Sequence, residues 1–174
     1  NEEGNKLVQV RLRDQRIPEM GDKFTSRHGQ KGVIGLVIDY ADMPYSASGI
    51  VPDILFNPHG IPSRMTMSHL IELISGKAGA LAGRYIDGTP FQAERHEDIR
   101  TELATLGFRE DGTETFYNGR SGEIFKAQIY VGDMYYLKLK HMVANKVHAR
   151  ARGPIQLLTR QPTEGRAKEG GLRL

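Results

Sequence analysis

The sequence predicts a mixed fold in which short β-strands are combined with helices in one domain. Runs of alternating or continuous apolar residues, which are typical of strands, occur near both ends of the chain. Between them, residues 65–81 carry apolar side chains at helical spacing, and glycines and prolines separate the segments. A chain of 174 residues, 39% of them hydrophobic, is long enough to form one domain with a real core.

Three strands are predicted in the first third of the chain. Residues Lys6–Arg13 alternate between apolar and polar side chains, which predicts a half-buried strand that ends before Pro18 and Gly21. The continuous apolar run Val33–Ile38 predicts a buried strand. Residues Ile50–Phe56 predict a third strand, with Pro52 near its start or at a sheet edge.

The middle of the chain predicts two helices and a hairpin. Apolar spacing predicts a helix over Met65–Leu81, with Ser63 or Thr66 as its cap, and a buried, hydrogen-bonded His69 on its apolar face. A polar amphipathic helix is expected over Arg95–Leu106, where Gly107 ends it. Turn residues at 118–122 then predict a hairpin of strands 114–117 and 123–131.

The last part of the chain predicts a helix, a short strand and an irregular tail. Helical spacing of apolar and polar residues predicts a helix over Met134–Val147, and Ile155–Leu158 predicts a short strand. Residues 160–173 are glycine-rich and basic without apolar periodicity, so we expect this tail to be ordered only by a partner.

Charge is distributed unevenly along the chain. From Lys138 to the C-terminus there are nine Lys or Arg residues against two acids, and from Lys6 to Lys31 seven against three. From Arg84 to Lys126, six basic residues face nine acids. Two basic ends that flank an acidic middle favour a polyanionic partner, although an even spread of these charges around the fold is the alternative.

The absence of cysteine excludes disulfides, zinc ribbons and thiol catalysis, and it favours a reducing cytoplasmic setting. The longest apolar run is far too short to cross a bilayer.

The segment Gly21–Gly35 is the strongest functional motif. Its sequence, GDKFTSRHGQKGVIG, groups Lys23, Arg27, His28 and Lys31 around a glycine-rich turn, which suits binding of phosphate groups. It is not a Walker A loop, because no G-x-x-x-x-G-K-[ST] string is present. A KH-type G-x-x-G loop is disfavoured because the following residues are β-rich, and a solvated basic hairpin is the plain alternative.

The sequence offers little support for a metal site or a nucleophilic triad. The six histidines show no metal-ligand spacing, and His141 and His148 lie among basic residues that favour phosphate contact. Asp39, Asp42 and Asp53 do not form a D-x-D cluster. Paired carboxylates of the kind that bind two metal ions for phosphoryl transfer are therefore absent as a local motif.

Three long segments resemble a known family. The Gly21–Gly35 motif, DMPYSASGIVPDILFNPHGIPSRMT (42–66) and YYLKLKHMVANKVHARARGPIQLLTRQPTEGRAKEGGLR (135–173) are similar to the second-largest subunit of multisubunit DNA-directed RNA polymerases, and most similar to its archaeal form. The resemblance implies that residues 1–174 are a single-domain fragment of a larger subunit. It also implies a hybrid-binding double-psi β-barrel with its core at about 5–65 and 123–160, a helical and hairpin insertion at about 66–122, and a basic switch-like tail at 160–174.

The resemblance also implies roles for individual residues. Lys23 and Lys31 are expected near the RNA 3′ end and the incoming nucleoside triphosphate, and Arg64 near the triphosphate. Contacts with RNA or the DNA–RNA hybrid are implied for His141, Lys146, Arg160, Arg166 and Lys168. Arg27 and Arg150 are also expected to contact nucleic acid, because they lie in the basic segments around the glycine-rich motif and around His148. The family places magnesium on aspartates of the largest subunit, so no metal ligand is expected here, and the fragment alone is expected to be inactive.

The implied partners are the largest subunit, the other polymerase subunits, template DNA, the RNA transcript and nucleoside triphosphates, in the cytoplasm at the nucleoid. The alternative is a nucleic-acid-binding β-barrel module without a catalytic role. The two differ in whether joining the chain to a partner with metal-binding aspartates yields nucleotide addition.

Overall fold

The computed structural model describes residue 4 and residues 6–173. Residue 5, at the start of the expected barrel core, and residue 174, at the end of the expected tail, lie outside the described residues.

The first sheet brings the two basic ends of the chain together. It contains β1 (Lys23–Ser26), β2 (Lys31–Val33) and β6 (Tyr136–Lys138), in the order β2-β1-β6. Both pairings are antiparallel. Because β1 lies between a neighbouring hairpin strand and a strand more than a hundred residues later, the N- and C-terminal segments share one hydrogen-bonded surface.

The second sheet contains β3 (Tyr45–Ser46), β4 (Thr113–Tyr117) and β5 (Ile124–Tyr130), all antiparallel. The β4–β5 pair confirms the predicted hairpin. Short β3 joins it through stacked rings of Tyr45 and Tyr117, whose centroids are 5.4 Å apart. This sheet therefore connects the first third of the chain to the acidic middle.

The two predicted helices are confirmed as α1 (Met67–Ala82) and α2 (His96–Thr105). They pack on each other through buried Ala78, Ile99 and Leu103. Thr66 occupies the N-cap position of α1, but its side chain makes no capping hydrogen bond. Neither helix in the described part of the chain has the length and apolarity that crossing a membrane requires.

Glycines allow α1 to contact the loop that follows β5. A Cβ atom at Gly76 would lie 2.2 Å from the carbonyl oxygen of Asp133, and one at Gly132 would lie 2.2 Å from that of Leu73. These distances leave no room for a side chain at either position. The close approach fixes α1 against the segment that leads into β6, and thereby against the first sheet.

Three predicted strands are wrong in whole or in part. Lys6–Arg13 and Ile50–Phe56 are not strands, and of Val33–Ile38 only Val33 belongs to one. Their apolar side chains are largely exposed, including Leu12 (89%) and Leu36 (69%). A strand needs a neighbour to pair its backbone groups, and beyond Val33 the described residues give these runs only isolated backbone hydrogen bonds, such as those of Ile34 with Gly21 and Asp22.

Two C-terminal predictions are also wrong. The segment 134–147 forms β6 and one 3₁₀ turn, Val143–Asn145, rather than a helix. Backbone pairing with β1 outweighs the helical spacing of its side chains. The predicted strand 155–158 is reduced to a single bridge between Ile155 and Pro162.

Candidate phosphate-binding site

The β1–β2 hairpin places both predicted catalytic lysines on one face of the first sheet. Lys23 lies opposite Val33, and Thr25 lies opposite Lys31. Residues directly opposite each other, and residues two apart on a strand, point to the same face. Lys23 and Lys31 are therefore diagonal neighbours. The turn between the strands contains Gly29 at a φ of +74°, a conformation that favours glycine.

Arg64 is attached to this hairpin through Gln30. The Nη1 atom of Arg64 donates to Gln30 Oε1 at 2.6 Å, and Gln30 Nε2 donates to Thr66 Oγ1 at 2.6 Å. Arg64 itself is exposed at the end of a 3₁₀ turn, Pro62–Arg64. The guanidinium of Arg64 is therefore held next to Gln30, the residue directly before Lys31.

Lys31 and Arg64 line the same cavity, whose volume is about 1070 Å³. Much of its wall is apolar, with side chains such as Phe24, Ile54 and Phe56. Lys23 is not among the lining residues. The cavity is thus lined by two cations together with many apolar side chains.

Lys23 belongs instead to a cationic cluster with His141 and Lys146. The backbone of Lys23 is hydrogen-bonded to the segment after β6, since its N–H donates to the His141 carbonyl at 3.3 Å and its carbonyl accepts from Leu139 N–H at 2.9 Å. The positive charge of Lys146 lowers the pKa of His141, and burial, Lys23 and Lys140 act in the same direction. His141 is therefore mainly neutral at pH 7, among lysines that would attract an anion.

Asp22 holds the base of this cluster. Its carboxylate is buried and accepts from Val143 N–H at 2.9 Å and from Glu19 N–H at 3.2 Å. Lys138 Nζ lies 3.4 Å away. The hydrogen bond from Val143 is the main cause of a lowered pKa for Asp22, although burial opposes it. The carboxylate therefore stays ionised and ties the 19–22 turn to the 143–145 turn.

Glu72 on α1 anchors the other end of the hairpin. It accepts from Arg27 at 2.6 Å, pairs with His28, and accepts from Tyr135 N–H at 3.3 Å. Burial opposes ionisation of Glu72, but the hydrogen bonds from Arg27 and His28 outweigh it, and the net pKa is lowered. Arg27, predicted to bind nucleic acid, thus has its charge largely compensated within the chain, and its guanidinium also lies 5.2 Å from the centre of the Tyr135 ring.

His69 is buried as expected, but the predicted hydrogen bonding is wrong. Only 1% of the residue is exposed, and neither ring nitrogen has a hydrogen-bond partner among the described residues. Burial lowers the pKa of His69, and the nearby His28 acts in the same direction. Its surroundings are rings, with the centroid of Phe56 at 5.3 Å and that of His28 at 5.7 Å.

The tail makes contacts within the chain. Arg166 donates to the Val147 carbonyl at 3.0 Å and to the Ala144 carbonyl at 3.3 Å, on either side of Lys146. Arg150 donates to the Glu169 carbonyl at 2.8 Å, and His148 Nε2 lies 2.6 Å from the Gly170 carbonyl oxygen. These bonds fold the tail back onto residues 144–150, so its order does not depend on a partner alone.

Of the seven predicted nucleic-acid contacts, three donate to groups of this chain: Arg27, Arg150 and Arg166. All seven except Arg150, which is half-buried, are exposed.

The described residues contain no group of three or more His, Cys, Asp or Glu side chains that could hold a metal ion. Asp42 pairs with Arg120 at 2.9 Å, and Asp53 lines the cavity without a second carboxylate beside it. This donor set does not fit a magnesium site.

Sequence reasoning missed Asp22, Gln30 and Glu72. Asp22 and Gln30 lie inside the motif that was singled out, next to Lys23 and Lys31, and that adjacency was the available signal. Glu72 carries no such signal, because its partners Arg27 and His28 are more than forty residues away in the chain.

Comparison with known sequences identifies the class of protein. The profile that describes RNA polymerase Rpb2, domain 6, matches residues 1–168. The chain therefore belongs to the Rpb2 domain 6 family of RNA polymerase, and its resemblance to the second-largest polymerase subunit is confirmed.

Individual relatives come from archaea and eukaryotes. The chain is 60% identical over 172 residues to the DNA-directed RNA polymerase subunit Rpo2 of Sulfolobus acidocaldarius, which covers 98% of this chain and 15% of the relative. It is 55% identical over 174 residues to subunit RPC2 of DNA-directed RNA polymerase III from Drosophila melanogaster. The matched region covers 100% of this chain and 15% of that relative. The chain is 53% identical over 173 residues to subunit RPB2 of DNA-directed RNA polymerase II from Encephalitozoon cuniculi, with 99% and 15% covered. The chain thus spans 15% of the length of these relatives.

Proposed function

We propose that this chain forms one wall of the active centre of a DNA-directed RNA polymerase and supplies cations that bind phosphate groups during nucleotidyl transfer. The observation that carries the proposal is the clustering of cations from distant parts of the chain. Lys31 and Arg64 share one cavity, and Lys23 of β1 lies near His141 and Lys146, which follow β6 in the chain.

Lys23, Lys31 and Arg64 are the proposed catalytic contacts. Each would offset negative charge on the triphosphate or on the RNA 3′ end as the phosphoryl group is transferred. Arg64 differs from the lysines because its planar guanidinium can donate two parallel hydrogen bonds to one phosphate. Gln30 uses one Nη1 donor, so other donors of Arg64 are available to a ligand.

The remaining predicted residues would contact the backbone of the DNA–RNA hybrid rather than its bases. Lys146, Arg160 and Lys168 are exposed and suit direct contact with phosphates. The other four residues would contact phosphates only at close approach, or would shape the surface that the hybrid meets: Arg27, His141, Arg150 and Arg166. Such contacts carry no sequence information and are weakened by salt.

Magnesium at the shared active site would be held by aspartates of the largest subunit, and the present chain would bind and orient phosphates there. Other polymerase subunits, template DNA, the RNA transcript and nucleoside triphosphates are the proposed partners. The proposed location is therefore the cytoplasm, at the nucleoid. The fragment alone is proposed to be inactive.

A double-psi β-barrel remains our proposal for the core, at about 5–65 and 123–160. The exposed apolar runs at 6–13, 33–38 and 50–56 support it, because large exposed apolar patches mark surfaces that other protein segments cover. Residues 66–122, which contain α1, α2 and β4, are proposed as the insertion, and 160–174 as the switch-like tail.

The test is the substitution Lys31→Ala in the complete polymerase that contains this segment. Loss of a pre-positioned charge at the reacting phosphates is expected to slow nucleotide addition on the order of tenfold to a hundredfold, with subunit assembly unchanged. Single-nucleotide addition in a rapid-mixing experiment measures this rate. Lys126→Ala, which removes an exposed lysine on β5, is the matched control. An unchanged rate for Lys31→Ala would favour the non-catalytic nucleic-acid-binding module instead.

A further inference from the structure

The Gln30 side chain connects two loops that carry proposed catalytic cations. Its residue is half-buried in the β1–β2 turn, directly before Lys31. Its amide oxygen accepts from Arg64 Nη1 at 2.6 Å, and its amide nitrogen donates to Thr66 Oγ1 at 2.6 Å and to the Gly60 carbonyl at 3.4 Å. One amide thus contacts three residues of the 57–66 loop.

Chemistry determines which way this amide faces. Arginine can only donate, so the atom beside Arg64 must be the amide oxygen. A backbone carbonyl can only accept, so the atom beside Gly60 must be the amide nitrogen. Both requirements agree, and every polar atom of the Gln30 side chain has a partner.

The surrounding backbone is stiff, whereas the Arg64 side chain is long and exposed. Pro58 and Pro62 begin the two 3₁₀ turns of the loop, and Met65 has a φ of +54° directly after Arg64. A Cβ atom at Gly60 would already lie 3.6 Å from Arg64 Nη1. The backbone therefore fixes where the Arg64 side chain starts, and the hydrogen bond to Gln30 fixes where its guanidinium ends.

We propose that Gln30 is a positioning residue that holds the guanidinium of Arg64 beside Lys31, so that both cations meet the same triphosphate. The proposal rests on the proposed function of Arg64 in nucleotide binding. Gln30 does not need to touch the nucleotide. It reduces the number of conformations that Arg64 must give up when the nucleotide binds, which strengthens binding without a new contact.

The experiment compares variants of the complete polymerase. Gln30→Met keeps the length and flexibility of the side chain but removes its donor and acceptor. Gln30→Glu keeps an acceptor, but its negative charge neutralises Arg64. Both are expected to raise the apparent KM for nucleoside triphosphates about tenfold, equivalent to ~1.4 kcal/mol, with a smaller change in kcat. Gln92→Met, at an exposed position in the loop before α2, is the matched control and should leave both constants unchanged.

A double-mutant cycle with Arg64→Ala separates positioning from a purely structural role. If Gln30 acts through Arg64, Gln30→Met adds no further increase in KM when Arg64 is already alanine. If Gln30 only joins the two loops, the two effects multiply, and the proposal is overturned. If Gln30→Met fails to assemble, the same cycle is run with Gln30→Ala, which also removes the donor and the acceptor and adds no charge.

The proposed function fails in a different way. If Arg64→Ala alone leaves KM and kcat unchanged, Arg64 has no role in nucleotide binding, and the Gln30 proposal falls with it. If Arg64→Ala raises KM while both Gln30 variants match the wild type, only the Gln30 proposal is overturned.

Discussion

At the scale of single residues, Asp22 connects the two segments that supply the cationic cluster. Its carboxylate accepts backbone N–H bonds from Glu19 and Val143, which come from opposite ends of the chain, and it lies beside Lys138. Gly21 also packs closely against Val143, because a Cβ atom at position 21 would lie 2.4 Å from Val143 Cγ2. The contact therefore combines a polar tie with a close approach that only glycine allows at a φ of +93°.

The lowered pKa of Asp22 makes stability depend on pH in a defined direction. A carboxyl group whose pKa is lower in the folded state stabilises the fold above its unfolded pKa of about 3.9, and this contribution is lost as the pH falls through the folded pKa. Asp22→Asn should therefore lower the Tm near neutral pH, and the difference from wild type should shrink in acid. Thermal unfolding followed by circular dichroism across this pH range measures it.

Asp14→Asn is the control for this prediction. The Asp14 side chain is 73% exposed in its pair with Arg16, so its loss should change the Tm little at any pH. A Tm deficit for Asp22→Asn that stayed constant down to acid pH would contradict the assigned role of the ionised carboxylate.

Single residues also show how far sequence reasoning extends to the site. The role of Arg64 was implied only by the family resemblance, whereas phosphate binding by Lys23 and Lys31 could be predicted from their place in a glycine-rich basic motif. The contact between Gln30 and Arg64 could not, because an amide carries no charge signal and its partner is 34 positions away. The lack of a hydrogen-bond partner for the His69 ring among the described residues could not be predicted either, because residue spacing predicts burial but not hydrogen bonding.

At the scale of elements, α1 is positioned by its glycines as much as by its apolar face. Gly76 contacts the Asp133 carbonyl, and Gly79 lies close to Arg84 and Ile86. On its polar side, Lys77 pairs with Glu114 of β4, and both side chains are nearly buried. The helix thus joins the second sheet through an ion pair and the β5–β6 loop through backbone contact.

Gly76→Ala should destabilise the protein even though alanine is the better helix former. Alanine gains up to about 1 kcal/mol in helix propensity. The added Cβ would lie 2.2 Å from a backbone oxygen that cannot move without shifting the loop before β6. Overpacking of this kind typically costs ~1–3 kcal/mol, so we expect a net loss of about 1–2 kcal/mol in the free energy of unfolding.

Chemical denaturation measures this change. Gly88→Ala is the matched control, because no atom lies within 4 Å of a Cβ at that position and its φ is ordinary. A Gly76→Ala protein as stable as wild type would mean that the contact with Asp133 is loose in solution.

Local pattern was a reliable guide to elements that satisfy their own backbone. The helices α1 and α2 and the β4–β5 hairpin were predicted because their hydrogen bonds are local or lie between neighbouring strands. Residues 134–147 were not, because β6 forms by pairing with β1, and no property of the segment itself indicates that partner. The apolar runs at 33–38 and 50–56 have strand character, but beyond Val33 they form no strand pairing among the described residues.

At the scale of the whole molecule, the fold brings the two basic ends of the sequence together and separates them from the acidic middle. Strands β1 and β6 bring both basic ends together, while the acidic middle forms α2 and its surroundings. Two acidic side chains of this middle region, Glu94 and Glu102, form ion pairs with Arg84. A polyanionic partner could be predicted from the charge pattern of the sequence alone. The position of the basic face could not be predicted without knowing that β1 pairs with β6.

Binding to a DNA–RNA hybrid should depend steeply on salt and little on sequence. If about four phosphates are neutralised, log affinity should fall with log salt at a slope of roughly −3 to −4. Lys168→Ala should make this slope shallower by about one, whereas Lys126→Ala on β5 should not change it. Fluorescence anisotropy over a salt series measures both, and a slope near zero would contradict a phosphate-binding face.

His141 gives the cationic cluster a property that its lysines lack. The surrounding positive charge, chiefly that of Lys146, lowers the pKa of His141 and so disfavours its imidazolium form. If the cluster binds phosphate as proposed, the negative charge of the phosphate would favour the imidazolium form instead. Phosphate binding and proton uptake by His141 would then be thermodynamically coupled, and a lower pH would strengthen binding.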